Sequence, residues 1–251
     1  MATNKRPSKR IPKYEQEENL KQNSEIIKMN KLDFDLTSKQ KQLIKILSNN
    51  KIITVSGPPG TSKTFVACFT AMEGLIKGKY KKIVLSKPTE VLSGTKDPGA
   101  LPGTLDEKMA VYAESFFDAF DEFLDEKVFK SLWEEKIIEF KPAQFLRGRT
   151  IKDSFIIIDE FQNFDIKALK SIVTRLGRNS TMVFMGDTKQ NDIKKRYVAV
   201  DFFTDKIIKG VKDCATFEFD KTDIVRDQIL IDIIDRFEQY EDQLPDTINN
   251  N

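Results

Sequence analysis

The amino-acid sequence predicts an α/β fold in which helices cover both faces of a mostly parallel sheet. Short runs rich in Val, Ile, Leu and Phe alternate with segments of helical periodicity along the 251 residues. These runs are apolar almost throughout, which is typical of strands buried on both faces of a parallel sheet. The alternation therefore indicates a three-layer sandwich. The predicted strands are Ile52–Ser56, Lys82–Ser86, Phe155–Ile158, Thr181–Met185 and Thr216–Phe219.

Two helices carry recognisable end signals. One is predicted to begin at Asp165, a favourable N-cap residue, and to end at Gly177, a residue type common at helix C-termini. Another is predicted to begin at Thr104, which has capping-box spacing with Glu107. Its apolar residues then recur at helical intervals. They include an aromatic run for which core packing is favoured over base stacking: Phe116, Phe117, Phe120 and Phe123.

The length predicts one domain with tails. Residues 1–30 are expected to be a disordered basic tail, because they begin with many basic and few apolar residues. This tail is either simply solvated, which is the favoured interpretation, or a weak nucleic-acid-binding arm. The folded domain is expected at 31–241, with a mainly helical insertion at 96–149 and a flexible tail at 242–251.

The composition excludes several classes of site. Histidine is absent, which removes Ser-His and Cys-His catalysis and any His-based metal centre. Two cysteines are too few for a disulfide framework. The 41 basic and 39 acidic residues nearly cancel, so nucleic-acid binding would require local clusters of charge. No apolar run could span a bilayer and no secretory signal is visible, so we expect a cytoplasmic protein without membrane contact.

A glycine-rich turn between the first strand and a helix predicts a phosphate-binding loop. In the stretch GPPGTSKT, Gly57 opens the loop and Lys63 and Thr64 close it. Glycine allows successive backbone N–H groups to surround an anion, and the helix N-terminus adds positive potential. Lys63 is expected to reach the β- and γ-phosphates, and Thr64 to ligate Mg²⁺. The predicted nucleotide-binding residues are Gly57, Pro58, Pro59, Gly60, Thr61, Ser62, Lys63 and Thr64.

Ser62 departs from this pattern, because glycine is usual at its position. If the loop requires a positive φ there, serine costs on the order of 1–2 kcal/mol. Nucleotide binding would then be weakened without being abolished. A glycine turn without a ligand is the alternative, and the acidic residues after the third predicted strand make it a minor one.

Two carboxylates follow the third predicted strand, in the stretch FIIIDEFQ. Asp159 and Glu160 are expected at the carboxyl edge of the sheet, where α/β proteins bind their ligands. In nucleotide hydrolases of this architecture, such an Asp orients Mg²⁺ and the adjacent Glu polarises the attacking water. A solvated strand end is the less favoured alternative. The next strand runs into GDTKQ, whose Gln190 is expected to hydrogen-bond the γ-phosphate or the water.

Together these strings resemble the PhoH-like P-loop ATPases, a family with one RecA-like domain related to the first domain of superfamily 1 helicases. The similarity covers roughly residues 36–240. Outside the phosphate loop it includes SKPTEVLSG, ALPGTLDEKM, LRGRT, DEFQN, TRLGRNS, GDTKQND and DIVRD in that order. The variant of the loop with serine at position 62 resembles family members carried by bacteriophages. Two positions depart from the usual family motifs. The family usually has arginine at the position of Lys87, and alanine or serine at the position of Phe161.

The resemblance implies ATP as ligand, Mg²⁺ as cofactor and a role for each matching residue. The implied assignments are adenine contact by Gln40, phosphate and Mg²⁺ binding by Lys63 and Thr64, Mg²⁺ binding by Asp159, water activation by Glu160 and γ-phosphate contact by Gln190.

The resemblance also implies an assembly and a partner. Relatives are thought to form hexameric rings, in which an arginine would act across a subunit boundary. Arg226 is the favoured arginine finger and Arg175 the second candidate, while local pairing of Arg226 with Asp223 or Asp227 is an equal alternative. The tie to helicases implies RNA or single-stranded DNA as the partner.

Two functions stay open at this point. The favoured one is an ATP-hydrolysing motor or remodeller of helicase type, because Lys63, Asp159 and Glu160 are all present. The alternative is a nucleotide-binding regulatory or scaffold protein with negligible hydrolysis. Ser62 is the only hint for that alternative in the sequence.

Overall fold

The fold is described from a computed structural model of the 251-residue chain. The structure describes residues 35–88, 105–187 and 199–241. Both predicted tails lie outside these ranges, as do Thr104 and Gln190.

Helices and strands alternate along the described chain. The helices are α1 (Ser38–Asn49), α2 (Lys63–Ile76), α3 (Leu105–Asp121), α4 (Glu126–Glu134), α5 (Ile166–Val173) and α6 (Gln228–Glu241). The strands are β1 (Ile52–Ser56), β2 (Lys82–Ser86), β3 (Ile138–Phe140), β4 (Ser154–Ile158), β5 (Thr181–Gly186) and β6 (Cys214–Glu218). Shorter helical turns are the 3₁₀ segments Ala143–Leu146, Phe161–Asn163 and Lys221–Asp223 and the π-helix Phe202–Ile208.

The six strands form one parallel sheet in the order β3-β2-β4-β5-β1-β6. Strand β1 pairs on one side with β5 and on the other with the edge strand β6, so that Thr54 lies opposite Phe184 and Thr216. Because all pairs are parallel, every strand ends at the same edge of the sheet, which we call the carboxyl edge. Every strand begins at the opposite amino edge. The predicted α/β fold with a parallel sheet is confirmed.

Most strand bounds agree with the sequence prediction. Strands β1 and β2 have the predicted bounds, whereas β6 begins earlier than the predicted Thr216 and ends at Glu218. Strand β3 was not predicted, because it has only 3 residues and its central residue, Glu139, is charged. It lies within 96–149 and pairs with β2, so this stretch supplies an edge strand as well as helices α3 and α4.

The ends of α5 agree only in part with the prediction. Asp165 caps the helix, since its side chain accepts a hydrogen bond from the Ala168 N–H at 2.7 Å. The helix ends at Val173, so the predicted extension to Gly177 is wrong. Gly177 is required by close packing instead, because a Cβ there would lie 2.4 Å from the Ile151 carbonyl oxygen.

Apolar side chains cover both faces of the sheet. Residues of α1 to α4 form one core, which includes Leu43 and Met72. Residues of α5 and the π-helix form the other, which includes Leu169 and Phe203. The aromatic run of α3 packs in the first core, as predicted: Phe116 and Phe120 are fully buried, Phe123 is nearly so, and Phe117 packs against Trp133 with ring centres 4.9 Å apart. Within the described residues, none of the helices combines the length and apolar content that crossing a bilayer needs.

Replacement of Gly74 by alanine should destabilise the protein, although alanine is the better helix former by about 1 kcal/mol. Gly74 lies inside α2, and a Cβ there would lie 2.4 Å from the ring of Tyr80. That ring is held in place, because the Tyr80 hydroxyl lies 2.8 Å from the Thr181 hydroxyl and the side chain is buried. Overpacking of this kind costs roughly 1–3 kcal/mol, which urea unfolding would measure.

The matched control is the same Gly74→Ala change in a Tyr80→Ala background. Without the ring, alanine at position 74 should be neutral or stabilising, so the destabilisation should disappear or change sign. A destabilisation of equal size in both backgrounds would contradict the packing explanation.

Candidate functional site

The parallel sheet brings three predicted segments together at its carboxyl edge. The phosphate loop at 57–64 follows β1, Asp159 and Glu160 follow β4, and Asp187 follows β5. Strand β5 lies between β1 and β4, so these segments are neighbours. All three line one cavity of about 530 Å³.

Contacts within the phosphate loop determine its shape. The Thr61 hydroxyl donates to the Pro58 carbonyl oxygen at 3.0 Å. Lys63 Nζ donates to the carbonyl oxygens of Gly57 and Pro58 at 2.7 and 2.8 Å. Burial lowers the pKa of Lys63, and the carboxylate of Asp187 opposes this shift. The ammonium group is therefore largely desolvated and is oriented by the loop itself.

Two residues of the site adopt left-handed backbone conformations that glycine favours. Ser62 has φ +61° and ψ +29°, and its side chain makes no capping hydrogen bond. The sequence predicts that serine costs on the order of 1–2 kcal/mol if the loop requires a positive φ at this position, and the structure has that positive φ. Glu160 has φ +55°. Strained backbone of this kind is concentrated at functional sites, because surrounding contacts must hold it in place.

Asp159 is a buried carboxylate held between backbone and side-chain groups. Its N–H donates to the Ser86 carbonyl oxygen at 2.9 Å, and its Oδ1 accepts from the Glu160 N–H at 3.0 Å. Its Oδ2 lies 3.5 Å from Lys87 Nζ. Burial raises the pKa of Asp159, and the positive charge of Lys87 opposes this shift. The carboxylate is thus oriented at the cavity wall with a cation beside it.

Asp159 and Thr64 fit a magnesium ion by the chemistry of their donors. Both line the cavity and carry oxygen atoms, which Mg²⁺ prefers as ligands. Among the described residues, no group of three or more His, Cys, Asp or Glu side chains could hold a metal ion by itself. Mg²⁺ is commonly held by one or two carboxylates together with substrate phosphates and water, and two protein donors suit that arrangement.

Gln162 connects Glu160 to the end of β5. Its Nε2 donates to Glu160 Oε2 at 2.5 Å, and its Oε1 accepts from the Asp187 N–H at 3.3 Å. A Cβ at Gly186 would lie 2.0 Å from Gln162 Oε1, so only glycine allows this approach. Gln162 is buried and therefore positions the Glu160 carboxylate against the cavity.

Arg226 lies against the phosphate loop of its own chain. The Val225 N–H donates to the Gly60 carbonyl oxygen at 3.0 Å, and a Cβ at Gly60 would lie 3.1 Å from Arg226 Cδ. The structure places Arg226 in the cavity of its own chain, because the segment after β6 contacts the phosphate loop. The prediction that Arg226 acts across a subunit boundary stays a prediction. Among the described residues, no ion pair joins Asp223 to Arg226. The carboxylate of Asp223 pairs with Lys39 at 2.7 Å.

The structure does not bring Arg175 to the cavity of its own chain. Helix α5 runs back across the sheet, and Arg175 follows it at the amino edge, where its carbonyl oxygen accepts from the Ile151 N–H at 2.8 Å. Its guanidinium donates to the Ser171 carbonyl oxygen at 3.1 Å and to the Thr174 hydroxyl at 3.0 Å. These are local contacts at the end of a helix.

Gln40 forms part of a capping box at the start of α1. Its Oε1 accepts from the Thr37 N–H at 3.0 Å, and its own N–H donates to the Thr37 hydroxyl at 3.2 Å. Gln40 is buried and does not line the cavity described above. Adenine contact by Gln40 stays a prediction, and so does the role of Gln190, which lies outside the described residues.

Sequence reasoning missed four charged residues that line the cavity: Lys87, Asp118, Glu122 and Asp187. Lys87 and Asp187 each follow an apolar strand directly, which is a signal that the sequence contains. Asp118 lies in the last turn of α3 and Glu122 directly follows this helix, and only the packing of α3 decides that they face the cavity. Burial and the nearby Asp118 raise the pKa of Glu122.

The charge of the cavity is negative overall. Its cations are Lys63, Lys87 and Arg226, and its acids are Asp118, Glu122, Asp159, Glu160 and Asp187. A free polyanion is therefore repelled unless a divalent cation accompanies it.

Comparison with known proteins shows the family of this chain. The model of the family described as "PhoH-like protein" matches residues 35–238, which is most of the chain. This chain belongs to the PhoH-like protein family. A PhoH-like protein of Bacillus subtilis is 33% identical over 203 residues, covering 81% of this chain and 63% of the relative. A PhoH-like protein of Synechocystis is 32% identical over 209 residues, covering 83% of this chain and 63% of that relative.

The chain is shorter than the relatives that it matches. It spans about three fifths of the length of these two relatives, and 58% of the PhoH-like protein of Mycobacterium tuberculosis, to which it is 33% identical. All these relatives are bacterial. The bacteriophage type that Ser62 suggested stays a prediction.

Similar chain traces occur among solved helicase structures. The DNA-bound helicase MrfA is 11% identical with a TM-score of 0.46, covering 84% of this chain and 30% of MrfA. The Pyrococcus furiosus Hef helicase domain is 13% identical with a TM-score of 0.41, covering 72% of this chain and 37% of that chain. These are likenesses of fold.

Replacement of Ser62 by glycine should stabilise the phosphate loop. Glycine adopts a positive φ without the steric cost that a Cβ imposes, so the free energy of unfolding should rise by about 1 kcal/mol. Urea unfolding would measure this change. Ser62→Ala is the matched control, because it removes the hydroxyl and keeps the Cβ. An equal gain from alanine would contradict the backbone explanation.

Proposed function

We propose that this PhoH-like chain binds ATP with Mg²⁺ and hydrolyses it. The observation that carries the proposal is the convergence of Lys63, Asp159 and Glu160 on one cavity. Membership of the PhoH-like family and the P-loop architecture support nucleotide binding at this position. The net negative charge of the cavity supports a nucleotide that arrives with a divalent cation.

Each residue of the site has a chemical role in this proposal. The loop N–H groups and the start of α2 bind the phosphates, and the Lys63 ammonium neutralises their charge. Mg²⁺, when bound to Asp159 and Thr64, would polarise the terminal phosphate. Glu160 orients the attacking water and accepts its proton. Gln162 holds the Glu160 carboxylate in place and is a positioning residue.

The proposed use of hydrolysis is movement or remodelling of RNA or single-stranded DNA, with the chain as a motor of helicase type. The support for this use of hydrolysis is the relationship of the family to helicases, which the matching sequence motifs imply. We further propose a homo-oligomer, with a hexameric ring as the expected form. Mass in solution with ATP and RNA present would test the assembly and the partner together.

A nucleotide-binding scaffold with negligible hydrolysis is the second candidate. The left-handed Ser62 favours it, because a strained loop binds phosphate less well. The Lys87–Asp159 pair also favours it, since a cation beside the carboxylate competes with Mg²⁺. Turnover is therefore the property that separates the two candidates.

The Glu160→Gln variant should lose ATP turnover while it keeps ATP binding. Glutamine preserves size and hydrogen bonding but cannot accept the proton of the attacking water. We expect a fall of roughly 10²-fold or more in phosphate release, with an unchanged dissociation constant by calorimetry. Release that is equally slow in the wild type, with and without RNA, would favour the scaffold. No heat on adding ATP and Mg²⁺ to folded wild type would overturn both candidates.

The Arg226→Ala variant should cut turnover and leave ATP binding nearly intact, because an arginine at the phosphate loop stabilises charge that develops in the transition state. Mixing it with Glu160→Gln decides which chain the arginine serves. If Arg226 acts within its own chain, as its contact with Gly60 favours, every site in the mixture lacks either the arginine or the glutamate, and activity stays low. Recovery of activity on mixing would show action across a subunit boundary.

A further inference from the structure

The amino edge of the sheet is strongly basic. Six short segments lead into the six strands at this edge: 50–51, 77–81, 135–137, 151–153, 174–180 and 209–213. Backbone hydrogen bonds join neighbouring segments, such as Lys51 N–H to the Asp213 carbonyl oxygen at 2.7 Å and Lys81 N–H to the Asp153 carbonyl oxygen at 2.6 Å. The basic residues of these segments are Lys51, Lys77, Lys79, Lys81, Lys136, Lys152, Arg175, Arg178, Lys209 and Lys212.

The acidic residues of the same segments are far fewer: Glu135, Asp153 and Asp213. The chain as a whole has a net charge of only +2. Among the described residues, the segments at the amino edge carry an excess of cations, and the cavity at the carboxyl edge is lined by an excess of acids. Strands of 5 residues, at roughly 3.3 Å per residue, separate the two edges by about 16 Å.

A cleft of about 570 Å³ opens at the amino edge. Lys51, Lys79 and Lys81 contribute to its lining. The two acids of the cleft already have partners, since Asp213 lies 3.6 Å from Lys51 Nζ and Asp153 accepts from Asn179 Nδ2 at 2.9 Å. The cleft is therefore a concave surface lined by three lysines and two aspartates, which is an excess of one positive charge. We call the six segments and this cleft the basic edge.

We propose that the basic edge binds the phosphodiester backbone of single-stranded nucleic acid. The proposal rests on the proposed function, because it names the surface on which the RNA or single-stranded DNA partner would lie. Lysine ammonium groups attract phosphates as point charges and release counterions from the strand. Contacts of this kind position a strand without reading its sequence. The acids that line the described cavity at the carboxyl edge disfavour a polyanion there, so we place the strand at the edge opposite the nucleotide.

The test compares two triple variants that each remove three exposed positive charges. The basic-edge variant is Lys81→Gln, Lys152→Gln and Lys212→Gln. The control variant is Lys41→Gln, Lys127→Gln and Lys167→Gln, whose positions lie in the first turns of α1, α4 and α5, remote from the amino edge. Glutamine keeps most of each side-chain stem, and thermal unfolding would check that both variants fold as the wild type does.

Fluorescence anisotropy with labelled oligouridylate and oligothymidylate would measure binding over a range of salt concentrations. For single strands, the slope of log K against log salt changes by about 0.7 for each phosphate contact, so three lost contacts should reduce it by about 2. At about 0.1 M salt the basic-edge variant should bind between about tenfold and 100-fold more weakly. The control variant should match the wild type, and ATP turnover without nucleic acid should be unchanged in both.

Several outcomes would overturn the inference. They are an unchanged slope in the basic-edge variant, an equal loss in the control variant, or tighter binding of a duplex than of either single strand. If the wild type hydrolyses ATP but binds neither oligonucleotide, the inference fails while the ATPase proposal stands. If oligonucleotides bind through the basic edge but no ATP is hydrolysed, the inference stands and the ATPase proposal fails.

Discussion

The site depends on one constraint, which is the contact between the phosphate loop and the segment that follows β6. A Cβ at Gly57 would lie 2.6 Å from Phe219 Cβ, so the loop begins in direct contact with that segment. The Val225 N–H then bonds the Gly60 carbonyl oxygen at 3.0 Å. These contacts hold backbone that is itself unfavourable, including Ser62 in a left-handed conformation. These contacts therefore hold the phosphate loop in its shape.

The same segment connects the loop to the start of α1. Lys39 pairs with Asp220 at 2.9 Å and with Asp223 at 2.7 Å. Hydrogen bonds from Thr222 and from Lys39 lower the pKa of Asp220 to about 2. The carboxylate is therefore ionised throughout the neutral range and keeps its contact with Lys39. The first helix, the phosphate loop and the segment bearing Arg226 are thus joined through one short stretch of chain.

Strand polarity and strand order explain where the remaining groups lie. Two carboxylates after β4, one after β5 and a lysine after β2 converge because all these strands end at one edge. The residues that lead into the strands converge at the other edge by the same rule, and there ten residues are basic and three are acidic. Among the described residues, the two edges of the sheet therefore differ in the sign of their excess charge.

The sequence by itself determined the strands with long apolar runs, the phosphate loop and the acidic pair, because these depend on local periodicity and on spacing between neighbouring residues. It could not reveal β3, which has 3 residues and a charged centre. Only the tertiary structure decided that Arg226 lies on its own phosphate loop, that Arg175 lies at the far edge, and that Asp118 faces the cavity. Those placements depend on how helices and loops pack across the sheet, between residues that are distant in the chain.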